Sequence, residues 1–237
     1  MNSPAELWSR RFAPVTDQIG FLRAPLMDVA ASLRRWREKL HGSALATTLE
    51  GSLEANIRAL EPLTFGVVPR ELLVATENSE WTAIFDCMLP HGDPISSVSY
   101  LARIIGTDGI VITSIPPSAP GSTTGPYGAR QFEVVGPASY RSPQSRAISV
   151  TQDGNRWRFD ESGSLQEFET PEAYLRRRVE DRLTGEMLVQ YSSKLGLRPF
   201  DGNFFEGPCV LVTNSSRPPS GLPALTISEA SNWVPES

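Results

Sequence analysis

Apolar residues in the first quarter of the chain recur at helical spacing. Val29, Leu33, Trp36 and Leu40 stand at i, i+4, i+7 and i+11, which places one apolar stripe on a helix. Pro25 is suited to open that helix and Gly42 to close it, because proline fits the first turn and glycine takes the left-handed conformation beyond the last. Arg34, Arg35, Arg37 and Lys39 fall off the stripe. Leu45, Leu49, Leu53, Ile57 and Leu60 keep the same spacing and predict a second helix, with Ser43 as cap and Pro62 beyond its end. Two helices with one stripe each need a surface to pack on.

From residue 71 the period changes. Segments 71–76 and 81–86 are short β-prone runs around the polar Glu77-Asn78-Ser79-Glu80; they predict an antiparallel hairpin with Trp81, Ala83 and Phe85 on one face. Segment 96–105 predicts a helix with Tyr100, Leu101, Ile104 and Ile105 as its buried side and Gly106 as its stop. Segment 110–115 is continuously apolar, the pattern of a central strand covered on both faces. Four prolines and three glycines between 116 and 128 predict a surface loop leading to a strand at 130–135.

Segment 147–160 predicts a second hairpin. A two-residue turn at Asp153-Gly154 sets Val150 opposite Trp157 and Ile148 opposite Phe159, and Ser162-Gly163-Ser164 then turns into a third strand at 165–169. Thr170-Pro171-Glu172 predicts a capped helix start, with Leu175, Val179 and Leu183 as the buried stripe. The pattern restarts at Thr184-Gly185-Glu186 with Leu188, Tyr191 and Leu195. A final short strand at 210–212 precedes a Pro/Ser-rich tail that packs through Trp233.

These elements describe an α+β fold: a mostly antiparallel sheet with N-terminal helices and a C-terminal helical segment packed on it. The chain, 237 residues long, reads as one domain, with a helical segment at 1–62, a sheet with helices at 63–213 and a tail at 214–237. That length supports a core without staples. The two cysteines, Cys87 and Cys209, are therefore expected to be buried free thiols in a reducing compartment. The first twelve residues carry Glu6, Arg10 and Arg11 and lack the apolar run of a signal peptide, so cytoplasmic residence is expected. No segment approaches the length of a membrane span. Asn214-Ser215-Ser216 matches a glycosylation acceptor only by coincidence in such a chain.

The net charge of -5 argues against a polyanionic partner. Arg176, Arg177, Arg178 and Arg182 spread around a helix rather than form one patch, and acids within ion-pairing reach point to a solvated face. Trp157 shares its face with Ile148, Val150 and Phe159, which makes it a core residue rather than a base-stacking platform. Dinucleotide, P-loop and nucleophile-elbow motifs are absent. Two histidines and two isolated cysteines do not make a zinc site; a carboxylate magnesium site has no diagnostic spacing to search for. No cofactor is implied.

Reactive residue types crowd together only at 86–93, where Asp86, His91 and Asp93 form a candidate polar cluster between a predicted strand and a predicted helix. An imidazole flanked by carboxylates can act as a general base. Pro90, Gly92 and Pro94 equally make this a stiff turn, and proline at 94 restrains Asp93. The expectation is that His91 is a turn residue and neither base nor ligand.

The layout, helices before a mostly antiparallel sheet with further helices behind it, is similar to that of small bacterial proteins that bind and neutralise a toxin, including the SMI1/KNR4-like immunity type. The resemblance is one of arrangement and carries no site residues. It implies a non-enzymatic bacterial protein-binding domain, an immunity or regulatory partner of a toxin. The alternative is a hydrolase or transferase using the 86–93 segment.

Overall fold

The computed structural model describes residues 7–10, 12–117, 128–137, 145–154, 156–205 and 207–231. In the first half, β1 (Gln18–Leu22), α1 (Leu26–His41), β2 (Ala44–Leu49) and α2 (Leu53–Arg58) are followed by β3 (Thr64–Phe65), β4 (Arg70–Ala75), β5 (Thr82–Asp86), β6 (Met88–Leu89) and α3 (Ile95–Ile105). The second half supplies β7 (Gly109–Ile115), β8 (Ala129–Val135), β9 (Arg146–Asp153), β10 (Arg156–Gly163), α4 (Gly185–Lys194), β11 (Cys209–Asn214) and α5 (Ile227–Ser231).

Nine of the strands form one sheet in the order β10-β9-β8-β7-β1-β5-β4-β11-β2. Every neighbouring pair is antiparallel, so the architecture is α+β. β3 and β6 make a separate parallel pair. α1 and α3 cover one face, where Val29, Leu33, Val98 and Leu101 meet Leu73, Ile84, Val111 and Val212. On the other face α2, α4 and the C-terminal segments bring Ile57, Leu188, Tyr191 and Phe205 against Phe21, Phe85, Ile112 and Phe132. Covering both faces is why β5 and β7 are buried at every position, and it explains the continuous apolar run read at 110–115. α3 lies close on β1 and β7 because both present glycine beneath it: a Cβ built on Gly20 or Gly109 would stand 2.6 or 2.4 Å from the side chain of Val98.

Several expected elements hold. α1 opens after Pro25 and closes at a left-handed Gly42. β4 and β5 pair as a hairpin with Trp81, Ala83 and Phe85 buried together. α4 starts where the pattern restarts, its Met187 N–H donating to the Thr184 hydroxyl. Both cysteines are buried free thiols. The strand at 210–212 is present as the longer β11, interior to the sheet between β4 and β2.

Others are corrected. Residues 45–60 are not one helix, and the segment 1–62 is not purely helical, because β1 and β2 both join the sheet. The leucine spacing of four there is shared by a strand and a short helix in succession. Thr47 and Thr48 favour extended backbone, β11 satisfies it, and Ser52 caps α2 in place of Ser43. α3 buries Ser97, Val98, Leu101 and Ala102, while Ile104 is exposed: the helix is rotated about its axis because it meets the glycines of β1 and β7 through Val98. Arg37 is buried rather than off the stripe of α1, since it continues the i, i+4 series from Val29 and Leu33.

In the β9–β10 hairpin Asp153 pairs with Arg156, Gln152 with Trp157 and Val150 with Phe159. The register is therefore shifted by two residues from the expected one, with Gly154 in the turn at φ +59°. A shift of two preserves the face, so Ile148, Val150, Trp157 and Phe159 still pack on one side. Residues 165–169 form no strand, because β10 runs on to Gly163. The helix expected from Thr170 is replaced by 3-10 turns at Pro171–Leu175 and Val179–Asp181. Thr170 makes no capping bond, and Leu175 is 85% exposed. Arginine side chains take the carbonyls that an α-helix would use internally: Arg130 donates to Glu180 and Leu183, Arg176 to Asp181, and Arg182 to Arg176. The tail does pack, with Leu225 bridged to Leu63 and Ile227 buried. Trp233 and most of the 116–128 loop lie outside the described residues.

Candidate functional site

The candidate cluster sits where β5 ends and α3 begins. The Asp86 carboxylate closes the turn by accepting from the Met88 N–H and the Asp93 N–H, each at 2.9 Å. Asp86 is thus committed at both oxygens to the backbone of the segment it was expected to serve. Burial pushes its carboxyl up to about 7 against the pull of those two N–H groups, and the charge of Glu71, its cross-strand neighbour, adds to the rise. Burial also raises Asp93.

Among the described residues His91 is hydrogen-bonded to neither Asp86 nor Asp93. Its Nδ1 stands 2.9 Å from Oδ2 of Asp17, a buried residue that precedes β1, and its side chain is 25% exposed. Against a carboxylate, Nδ1 is the donor, which leaves Nε2 as the acceptor of the neutral ring. The structure therefore separates the three residues into a turn-building acid and an oriented imidazole. Asp17 was missed because adjacency in sequence was the only signal used, whereas β1 and the β5–α3 turn meet only in the folded sheet.

Beside this turn a buried ion pair joins α1, β4 and α3. Arg37 Nε donates to Glu71 Oε2 at 2.6 Å, Arg37 Nη2 to the Ser97 hydroxyl at 3.0 Å, and that hydroxyl to Glu71 Oε1 at 2.5 Å. A second buried network holds the far hairpin. Arg146 donates through Nε and Nη2 to the two oxygens of Glu169, at 2.9 and 2.8 Å, while the Tyr174 hydroxyl donates to Glu169 Oε2 at 2.7 Å and lies 3.0 Å from that of Tyr191. Both networks are internally satisfied and tie elements together.

Asp86 makes stability depend on pH. Its folded pKa is above the unfolded value, so the folded state holds the proton more tightly between about 4 and about 7. Stability is then greatest below that window and falls as pH rises through it. The difference in unfolding free energy between wild type and Asp86→Asn should change by about 3 kcal/mol between pH 4 and pH 8, in the direction that disfavours wild type at high pH. Urea unfolding of both proteins across that range measures it. A constant difference would mean that Asp86 is not the buried acid described.

At the opposite end of the sheet a cleft of ≈ 1020 Å³ is lined by Arg23, Trp81, Asp108, Ile110, Phe168 and Lys194 among others. Arg23 is held by Glu80, and the Lys194 ammonium donates to the Phe168 carbonyl, so its cations already have partners. Among the described residues no group of three or more His, Cys, Asp or Glu side chains is placed to hold a metal ion, and no helix is long and apolar enough to cross a membrane.

The sheet margins differ in character. The β10 edge carries Arg156, Arg158, Asp160 and Glu161, charges that discourage pairing with another chain. The β2 edge is Ala-Leu-Ala-Thr-Thr-Leu, without a charge or a proline. Leu45 is 63% exposed on it. The sequence held the signal, but the leucine spacing hid the strand inside an expected helix. Comparison of the chain with protein-family models, with curated proteins and with solved structures found no match in any of the three, so the likeness in layout to the SMI1/KNR4-like immunity type gains no support from them.

Proposed function

We propose that the chain is a non-enzymatic protein-binding domain, an immunity or regulatory partner of a toxin in a bacterial host. The observation that carries the reading is the β2 edge: a six-residue uncharged strand with no strand paired on its outer side among the described residues and with an exposed leucine, on a sheet whose other margin is charged. Such an edge accepts an extended segment of another protein through main-chain hydrogen bonds. The commitment of Asp86 to its own turn supports the same reading, since it removes one of the two acids flanking His91 in sequence from general-base chemistry.

Capture from the native host tests it. Wild type should retain one host protein in stoichiometric amount, and Leu45→Lys, which places a charge on the edge, should lose it. Capture of nothing at physiological concentration, or equal capture by both, would overturn the reading.

The pairing of His91 with buried Asp17 favours the second reading, a hydrolase or transferase, because a buried acid that orients a partly exposed imidazole is the arrangement a general base requires. A substrate screen comparing wild type with His91→Ala decides it. Activity lost without loss of thermal stability supports the enzyme, and activity common to both proteins removes His91.

A further inference from the structure

We propose that β2 pairs with β2 of a second copy of this chain, about a two-fold axis through Thr47, so that the two sheets become one continuous sheet across a dimer. The inference rests on reading β2 as the binding edge and names the molecule that covers it when no other partner is bound.

A two-fold axis normal to the sheet makes the facing strands antiparallel and keeps each face of the sheet on its own side. Residues opposite one another across the seam must then come from the same face. In β2 the faces are fixed by its pairing with β11. Leu45, Thr47 and Leu49 lie opposite Thr213, Leu211 and Cys209, and Leu211 and Cys209 belong to the core shared with α4; Ala46 lies opposite Val212 on the side of α1. Centring the axis on Thr47 sets Leu45 of each copy against Leu49 of the other, Ala46 against Thr48, and Thr47 against Thr47. Every pair matches apolar or hydroxyl partners, and no charge is buried. The register centred on Ala46 sets Leu45 against Thr47 and leaves Leu49 outside the pairing, so it is the poorer fit.

The layer above the sheet is also incomplete at this margin. Leu40 belongs by spacing to the buried stripe of α1, yet it is 55% exposed at the end of the helix from which the chain turns through Gly42 into β2. With Leu45 exposed on the opposite face, both layers lack cover at the same edge. α1 packs over β2 and β11. Pairing two β2 strands about 4.8 Å apart therefore brings the two α1 helices side by side over the seam, near the separation at which helices pack. That second layer extends the contact beyond the five paired residues, whose strands alone would bury less than a stable dimer requires.

Sedimentation and disulfide trapping test this together. Wild type should sediment as a dimer at micromolar concentration and Leu45→Lys as a monomer, with the unfolding midpoint of the monomer showing that it is folded. Thr47→Cys should form a disulfide-linked dimer on mild oxidation, since facing residues of an antiparallel pair lie within disulfide reach. Leu45→Cys should not, because its own counterpart is four residues away along the seam, roughly 13 Å. The native thiols are buried and serve as the silent background. A monomeric wild type, or cross-linking as efficient at Leu45→Cys as at Thr47→Cys, overturns the inference. If wild type is monomeric while Leu45→Lys still loses a captured host protein, the second-copy inference fails and the protein-binding reading stands. If wild type is a trapped dimer that captures no host protein, the inference stands and that reading fails.

Discussion

Replacing Glu169 by alanine is expected to destabilise the protein by about 3–5 kcal/mol, the usual cost of leaving one partner of a buried ion pair uncompensated. Glu169 accepts both arms of the Arg146 guanidinium, the Tyr174 hydroxyl and the Gln166 N–H. Its removal leaves Arg146, itself buried at the start of β9, with the partly exposed Glu161 carboxylate and two carbonyls. The Tyr174 hydroxyl keeps only its contact with Tyr191. The loss therefore falls on the join between the β9–β10 hairpin and the C-terminal segment, which are brought together by side chains rather than by strand pairing. Glu169→Gln, which keeps an acceptor while losing the charge, should cost less than the alanine variant. Urea unfolding of the three proteins measures both differences. A loss below about 1 kcal/mol for Glu169→Ala, the value of an ordinary hydrogen bond, would mean that the network does not form.

What the sequence made legible follows from how local each cause is. α1 and α4 are specified by residues within their own length: stripes at helical spacing, a stop at Gly42 and a cap at Thr184. β7 is legible because burial on both faces leaves it continuously apolar. The failures occur where a distant element decides. Leu45 and Leu49 fit a helix until β11 supplies a pairing partner from more than 150 positions away. Thr170-Pro171-Glu172 has the chemistry of a helix start, but Arg130, from β8, donates to the carbonyls downstream and the chain turns instead. In the β9–β10 hairpin the face was set by alternation, whereas the register depended on the turn: Asp153, read as a turn residue, pairs with Arg156 instead, and glycine at 154 suits either central turn position.

The candidate cluster divides in the same way. Asp86 and Asp93 were visible as neighbours in sequence, and they remain neighbours because the turn is local, one carboxylate accepting the backbone N–H of the other residue. Asp17 was invisible as the partner of His91, since only the placement of β1 between β5 and β7 brings position 17 to the β5–α3 turn. Open edges are harder to read than either. An edge is defined by what a strand lacks, and the charges that mark β10 as an edge have no counterpart on β2.

Glu71→Ala is expected to cost about 3–5 kcal/mol, because the Arg37 guanidinium then stays buried beneath α1 with no counter-charge, keeping the Ser97 hydroxyl and the face of the Trp36 ring as partners. Exchanging both members for apolar residues of similar volume, Arg37→Met with Glu71→Leu, should cost less than the single change, since no orphaned charge remains and only the Ser97 hydroxyl loses its partners. A purely additive double variant would show that the two side chains do not interact. The same substitution has a second readout at Asp86. The Glu71 charge is among the causes that raise that carboxyl, although burial is the largest. Removing it should move the Asp86 titration, followed by carboxyl-carbon NMR, to lower pH while leaving it above the ordinary aspartate range. The pH window over which stability falls should narrow from its upper end by the same amount. An Asp86 titration that stays near 7 in Glu71→Ala would place the two carboxylates too far apart to interact, against their opposition across β4 and β5.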